Sequence, residues 1–148
     1  MKANENIQLT PLIKHVEVAC APERAFALFT DEIHAWWPLA SHSMFQGEAA
    51  RVTIEPRVNG RVFERAKGGQ EYDWGTVLVW SPPERVRFTW RVGKAANSKQ
   101  EVEVRFEPSA RGTRVILTHS GFELPEQRKN YDGGWDFVLG KFVASTTG

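Results

Sequence analysis

Residues 100–122, QEVEVRFEPSARGTRVILTHSGF, read as two strands joined by a tight turn. Apolar and polar residues alternate on either side of Ala110-Arg111-Gly112, the period-two signature of half-buried strands. A connection this short joins antiparallel neighbours. Upstream, the same patterning recurs over 51–55, 61–66, 72–80 and 85–92. The punctuation between these runs is Asn59-Gly60, Gly68-Gly69, Ser81-Pro82-Pro83 and the polar run 93–98. With 100–107 and 113–122 they make a six-stranded meander.

Outward from the meander, 13–20 reads as a further strand, with Val16 and Val18 on one face and His15 and Glu17 on the other. Ala21-Pro22-Glu23 then opens a helix whose apolar stripe is Phe26, Leu28 and Phe29. A second short helix is expected next, with Asp31 as its N-cap and Ile33, Trp36 and Trp37 on one face, stopped by Pro38. After Pro125, Tyr131, Trp135, Val138, Leu139 and Phe142 fall at helical spacing, and the sheet is the partner on which this face can pack. The fold class is therefore α+β: a helix-grip layout, β-α-α-β6-α, with a curved antiparallel sheet wrapped around a long C-terminal helix. Such a layout leaves a pocket between sheet and helix unless large side chains fill it.

The chain has 148 residues and a formal charge of +1, the size of one ordinary domain, with residues 1–10 expected to be extended or disordered. Near neutrality without a basic run argues against nucleic acid as a partner. No stretch has the length of apolar residues that a signal peptide or membrane span needs, so a cytoplasmic location is expected. The single cysteine, Cys20, excludes an intramolecular disulfide and a Cys-rich metal centre. The four histidines, His15, His34, His42 and His119, show no metal-ligand spacing, and no nucleophile elbow, phosphate loop or dinucleotide fingerprint is present. No cofactor and no metal are expected. The unusual feature is six tryptophans against only two tyrosines.

Several separated motifs occur in one order: Ala21-Pro22-Glu23-Arg24-Ala25-Phe26-Ala27-Leu28-Phe29-Thr30, Trp36-Trp37-Pro38, Glu55-Pro56-Arg57-Val58-Asn59-Gly60-Arg61, Asp73-Trp74-Gly75-Thr76-Val77, Ser81-Pro82-Pro83-Glu84-Arg85 and Tyr131-Asp132-Gly133-Gly134-Trp135. Together they resemble the SRPBCC superfamily, in the branch similar to the C-terminal domain of the Hsp90 ATPase activator homologue. The resemblance spans roughly residues 11–142 and implies the helix-grip fold shared with birch-pollen-allergen and START-type domains. It also implies a hydrophobic small molecule as the usual partner, held between sheet and long helix, with some members having become cyclases or hydrolases. The co-chaperone activity of the eukaryotic namesake involves a further N-terminal domain, for which this length leaves no room.

Seven residues are candidates for the site. Trp36, Trp37, Trp90, Tyr131 and Trp135 would supply flat apolar area with a few hydrogen-bond groups, although any single Trp reads more readily as core and only the set points to a site. His119 shares a strand face with Val115 and Leu117 and either orients a ligand or is a satisfied core histidine, the second reading carrying more weight. Glu64 is a candidate general base or polar anchor if it faces inwards with Val62, and a solvated residue if Phe63 faces inwards instead. Strand 72–80 is apolar on both faces, with Trp74, Leu78 and Trp80 on one and Val77 and Val79 on the other, which raises the hypothesis that a second copy covers it in a homodimer. Gly133-Gly134 in the long helix reads as a close backbone approach, a hinge, or a helix that starts only near Asp132. The leading functional reading is binding of an apolar or aromatic small molecule without obligatory catalysis. A chaperone- or stress-associated protein-interaction module comes second, and a small cyclase- or hydrolase-like enzyme third.

Overall fold

The computed structural model describes residues 9–93 and 98–147. The expectation for the first residues falls outside this range up to residue 8, as does most of the polar run after Gly93. The elements are β1 (Leu12–Val18), α1 (Pro22–Phe29), a 3-10 turn (Ile33–Ala35), a second 3-10 turn (Gln46–Glu48), β2 (Ala49–Ile54), β3 (Arg61–Ala66), β4 (Glu71–Ser81), β5 (Arg85–Thr89), β6 (Glu101–Ser109), β7 (Gly112–Ser120) and α2 (Pro125–Thr146). The seven strands form one antiparallel sheet in the order β1-β7-β6-β5-β4-β3-β2. The long helix lies across its concave face, which is the α+β helix-grip architecture.

Alternation assigns the two faces. Val86 and Phe88 of β5, Val102, Val104 and Phe106 of β6, and Val115, Leu117 and His119 of β7 are buried on the concave face, while Arg85, Arg87, Glu101, Glu103 and Arg105 face outwards. In α2 the buried side chains are Trp135, Val138, Leu139 and Phe142. Phe142 packs against Phe29 and Trp36 at centroid distances of 5.2 and 5.1 Å, closing the C-terminal half of the grip with aromatic rings from α1 and the turn that follows it. Gln127 reaches back to accept from the backbone N–H groups of Glu123 and Leu124, which fixes the start of α2.

Three local expectations are corrected. The second short helix is a single 3-10 turn preceded by Glu32 rather than capped by Asp31, and no side-chain cap is formed there. Pro38 follows too closely for another turn to form. The helix α2 begins at Pro125, so it does not start near Asp132, and a Cβ built on Gly133 or Gly134 meets nothing within 4 Å, so no close approach demands glycine.

The third concerns β4, whose double apolar face has an intramolecular cause. Its pairing with β3 steps from Gly75↔Val62 to Asp73↔Phe63, and its pairing with β5 steps from Val77↔Phe88 to Val79↔Arg87. Trp74 and Leu78 are thus the extra residues of two bulges, and each bulge shifts the phase of the strand by one residue. Trp74, Val77 and Trp80 consequently all turn towards the interior despite their mixed spacing, Trp80 packing edge-on against Phe26 at 5.1 Å. The outer face is a lattice of charges instead: Arg61 and Arg65 bind Glu71, Arg91 binds Asp73, and Arg87 binds Glu101. Phe63, outward but only 8% exposed, lies under the Arg61 guanidinium at 4.1 Å. The apolar run of β4 therefore does not itself require a second copy to cover it. Among the described residues, no helix is long and apolar enough to cross a membrane.

Candidate functional site

Glu64 faces inwards with Val62, and it is fully buried. Both carboxyl oxygens are occupied as acceptors. Oε1 takes the N–H of Met44 at 2.6 Å and Nε1–H of Trp74 at 2.7 Å, while Oε2 takes the N–H of Phe45 at 3.0 Å. Three N–H donors replace the water that a buried carboxylate would lose. Their geometric effect is to pin the segment 38–46 against the sheet. Within that segment Trp37 donates Nε1–H to the carbonyl of His42 at 2.8 Å, Ser43 Oγ donates to the Leu39 carbonyl at 2.6 Å, and Gln46 N–H donates to Ser43 Oγ at 2.9 Å.

His119 sits at the other side of the concave face, also fully buried. Trp135 donates Nε1–H to its Nδ1 at 2.9 Å, which makes Nδ1 the acceptor nitrogen. Nε2 then carries the proton and donates it to Gln100 Oε1 at 2.8 Å. Both ring nitrogens are thus engaged within the protein, and the imidazole fixes the plane of the Trp135 indole. Trp90 donates Nε1–H to Tyr131 Oη at 2.9 Å and tethers the first half of α2 in the same way. The indoles of Trp37, Trp74, Trp90 and Trp135 pack together at centroid distances of 5.2 to 6.4 Å.

Between this cluster, α2 and the pinned segment lies a cavity of about 200 Å³, lined by Trp37, Trp90, Tyr131 and Trp135, with Val92, Gly134 and Val138, and rimmed by Ser41, His42 and Ser43. Of the seven residues singled out from sequence, the structure brings Trp37, Trp90, Tyr131 and Trp135 to the cavity. Trp36 stands apart, its Nε1–H donated to the Leu28 carbonyl at 2.7 Å and its ring against Phe29. Glu64 and His119 stand behind the wall, holding the rim and Trp135 respectively. Sequence reasoning missed Ser41, His42 and Ser43, because the segment after Pro38 has no periodicity; its one signal is a polar S-H-S run separated from two tryptophans by Pro38, Leu39 and Ala40. Gly134 borders the cavity with open space where its Cβ would lie, so this glycine keeps volume free rather than serving a tight contact.

The edge of the site nearest β1 is tied electrostatically. Lys14, on the inner face of β1, binds Asp132 and Asp136 of α2, the latter at 3.0 Å, on either side of Gly133-Gly134. Burial pulls the pKa of the Lys14 ammonium down, but the two carboxylates outweigh burial and hold it above its ordinary value. Its hydrogen bond and charge in turn hold Asp132 below the usual carboxylate range. Among the described residues, no three His, Cys, Asp or Glu side chains converge as a metal site.

Comparison with known proteins gives a consistent picture. The family model described as Activator of Hsp90 ATPase homolog 1-like protein matches residues 19–146. No curated protein sequence matches the chain significantly. Among solved structures, the Aha1 dimer from Colwellia psychrerythraea superposes with a TM-score of 0.72 at 18% identity, covering 93% of this chain and 96% of that one. Protein MLL2253 from Mesorhizobium loti gives 0.69 at 18% identity, covering 90% and 94%. An anthrahydroquino-gamma-pyrone synthase, Txn09, complexed with SUM, gives 0.60 at 30% identity, covering 91% and 96%.

Proposed function

Because the chain belongs to the Activator of Hsp90 ATPase homolog 1-like family, within the SRPBCC superfamily, we propose that it binds a small apolar or aromatic molecule in the cavity between α2, the sheet and the segment 38–46. The observation that carries this reading is the cavity itself: about 200 Å³ left open in an interior otherwise filled by large side chains, with three indole rings in its wall. An apolar cavity of about 150 Å³ stays dry and takes up benzene, whereas pockets for drug-sized ligands run from about 300 Å³. The occupant is therefore one or two fused rings, with larger substituents projecting through the mouth. Trp37, Trp90 and Trp135 supply the contact area, and Glu64 and His119 act behind them by fixing the rim and one wall.

Equilibrium dialysis of naphthalene against the native protein and a Val138→Trp variant tests the reading. Val138 borders the cavity, so the larger ring fills it, and uptake is expected to fall at least tenfold while the fold is retained by circular dichroism. Equal uptake by a folded Val138→Trp variant would place the binding elsewhere and refute the proposal.

A second reading, a cyclase-type enzyme acting on a polycyclic aromatic substrate, is favoured by the 30% identity with Txn09 over nearly the whole chain. Mass-spectrometric detection of turnover when the chain is given that synthase's substrate would move the assignment from binder to enzyme. The Colwellia dimer is compatible with self-association of this chain as well.

A further inference from the structure

Of the six tryptophans, Trp80 is the one whose indole N–H the fold leaves unused. Each of the other five donates to an acceptor inside the protein, whereas Nε1–H of Trp80 has none among the described residues and is not buried. Its half-buried ring packs edge-on against Phe26 at 5.1 Å and lines an open groove of about 430 Å³ between α1 and the turn from β4 to β5. Phe26, Pro82 and Pro83 supply the rest of the apolar wall. The groove shares no residue with the cavity beneath α2.

Two exposed carboxylates border the same groove. Glu23 stands in the first turn of α1 and Asp31 just beyond its last residue, Phe29, so they bracket the groove along the helix at a spacing of about 12 Å. That is the reach of about four residues of extended chain. Neither carboxylate has an ion-pair partner among the described residues, and the neighbouring Arg24 is taken by Glu32. Glu23 and Pro83 also border an adjoining hollow, where Glu84 and Glu107 are accompanied by a single guanidinium, that of Arg105, itself 3.9 Å from Glu103. Four carboxylates against one cation make this end of the protein anionic, although the whole chain carries +1. A partner rich in phosphate, whether nucleic acid or an anionic membrane, is repelled by such a surface, and a cationic one is drawn in. Aromatic-lined grooves accept extended, proline-rich segments, whose backbone is already ordered before binding. We infer that this groove docks an extended, proline-containing segment of a partner protein that carries two basic residues about four positions apart. The basic groups pair with Glu23 and Asp31, and the apolar residues between them lie against Trp80, Pro82 and Pro83.

The test is a titration of the native protein with the capped peptide Arg-Pro-Leu-Pro-Arg, followed by amide and indole N–H shifts in nitrogen-15 NMR spectra, with Glu-Pro-Leu-Pro-Glu as the charge-reversed control. Saturable shifts are expected at the Trp80 indole N–H and the backbone amides of Glu23 and Asp31 with the arginine peptide, weakening as salt is added, and none with the control. The double variant Glu23→Gln, Asp31→Asn, which alters exposed side chains without a structural partner, is expected to bind the arginine peptide roughly three- to tenfold more weakly, the worth of two exposed ion pairs. Glu123→Gln, Glu126→Gln, which removes the same charge outside the groove, is expected to change it by less than about twofold. Absence of saturable binding, equal binding of both peptides, or shifts centred away from Trp80, Glu23 and Asp31 would each overturn the inference. So would the same shifts on concentrating the protein alone, which would make a second copy the occupant. The cavity is tested separately, by naphthalene uptake, so failure of one reading is distinguishable from failure of the other.

Discussion

Replacing Glu64 by Gln is the most informative change to the scaffold. In the native protein Oε1 accepts two N–H groups and Oε2 a third. A glutamine offers one oxygen and one NH2 group in the same space, so its best placement puts the oxygen where Oε1 was, keeping Met44 and Trp74, and turns the NH2 towards the N–H of Phe45. One charge-assisted bond worth about 1.5–3 kcal/mol is replaced by facing donors, and the two that remain drop to neutral strength. Relief of burying the charge offsets part of this. The expected net destabilisation is about 2–3 kcal/mol, a fall in melting temperature of roughly 4–12 °C for a chain of this length. Glu64→Ala, which strands all three donors, is expected to be less stable still. Thermal unfolding followed by circular dichroism gives the shift, and amide hydrogen exchange gives its location: Met44 and Phe45 should lose protection first. A Glu64→Gln protein within 0.5 kcal/mol of native, or one whose Met44 and Phe45 amides exchange no faster, would refute the view that this carboxylate holds the rim.

Gly133→Ala is expected to stabilise the protein by up to about 1 kcal/mol in urea unfolding, because the added Cβ meets nothing and the helix gains a better former; a destabilised variant would show that this glycine has a backbone role the packing does not reveal. Stability should also decline in acid. Hydrogen bonds from Arg65 and Arg61 hold Glu71 below its ordinary value of 4.5, and Lys14 holds Asp132 below 3.8. A lowered folded pKa contributes stability above the ordinary value and loses it as pH falls through the folded one, so the melting temperature should drop as pH falls below about 4.5. Lys14→Met should make that decline shallower, and an identical acid limb in the variant would remove Asp132 from the account.

The strands and the long helix were legible because their signals are local. Alternation in 100–122 and the turn at Ala110-Arg111-Gly112 place β6 and β7 without reference to anything distant. The facing of β4 was not legible, because a bulge is a property of the register between two strands. Nothing in the sequence around Trp74 or Leu78 announces which residue will be the extra one. The segment 38–46 was hidden for a related reason: its conformation is dictated by a carboxylate twenty residues downstream, which is itself held by the indole N–H of Trp74 on the neighbouring strand. The cavity walls could therefore be anticipated as a set of aromatic residues, whereas its rim could not.

The choice of tryptophan over phenylalanine follows from the same geometry. The indole N–H groups of Trp36, Trp37, Trp74, Trp90 and Trp135 each donate to a defined acceptor: the Leu28 and His42 carbonyls, Glu64, Tyr131 and His119. A phenylalanine could cover comparable apolar area but could not fasten an irregular segment or hold a ring plane. Three of these fastened rings border the cavity, so its walls are set by hydrogen bonds that exist before any guest arrives. Preformed walls spare a guest the cost of ordering side chains, about 0.5–1.5 kcal/mol for each one immobilised. Under the proposed binding function, Trp37, Trp90 and Trp135 are core and contact surface at once, and the N–H that satisfies the fold is what would keep the apolar face available to a ligand.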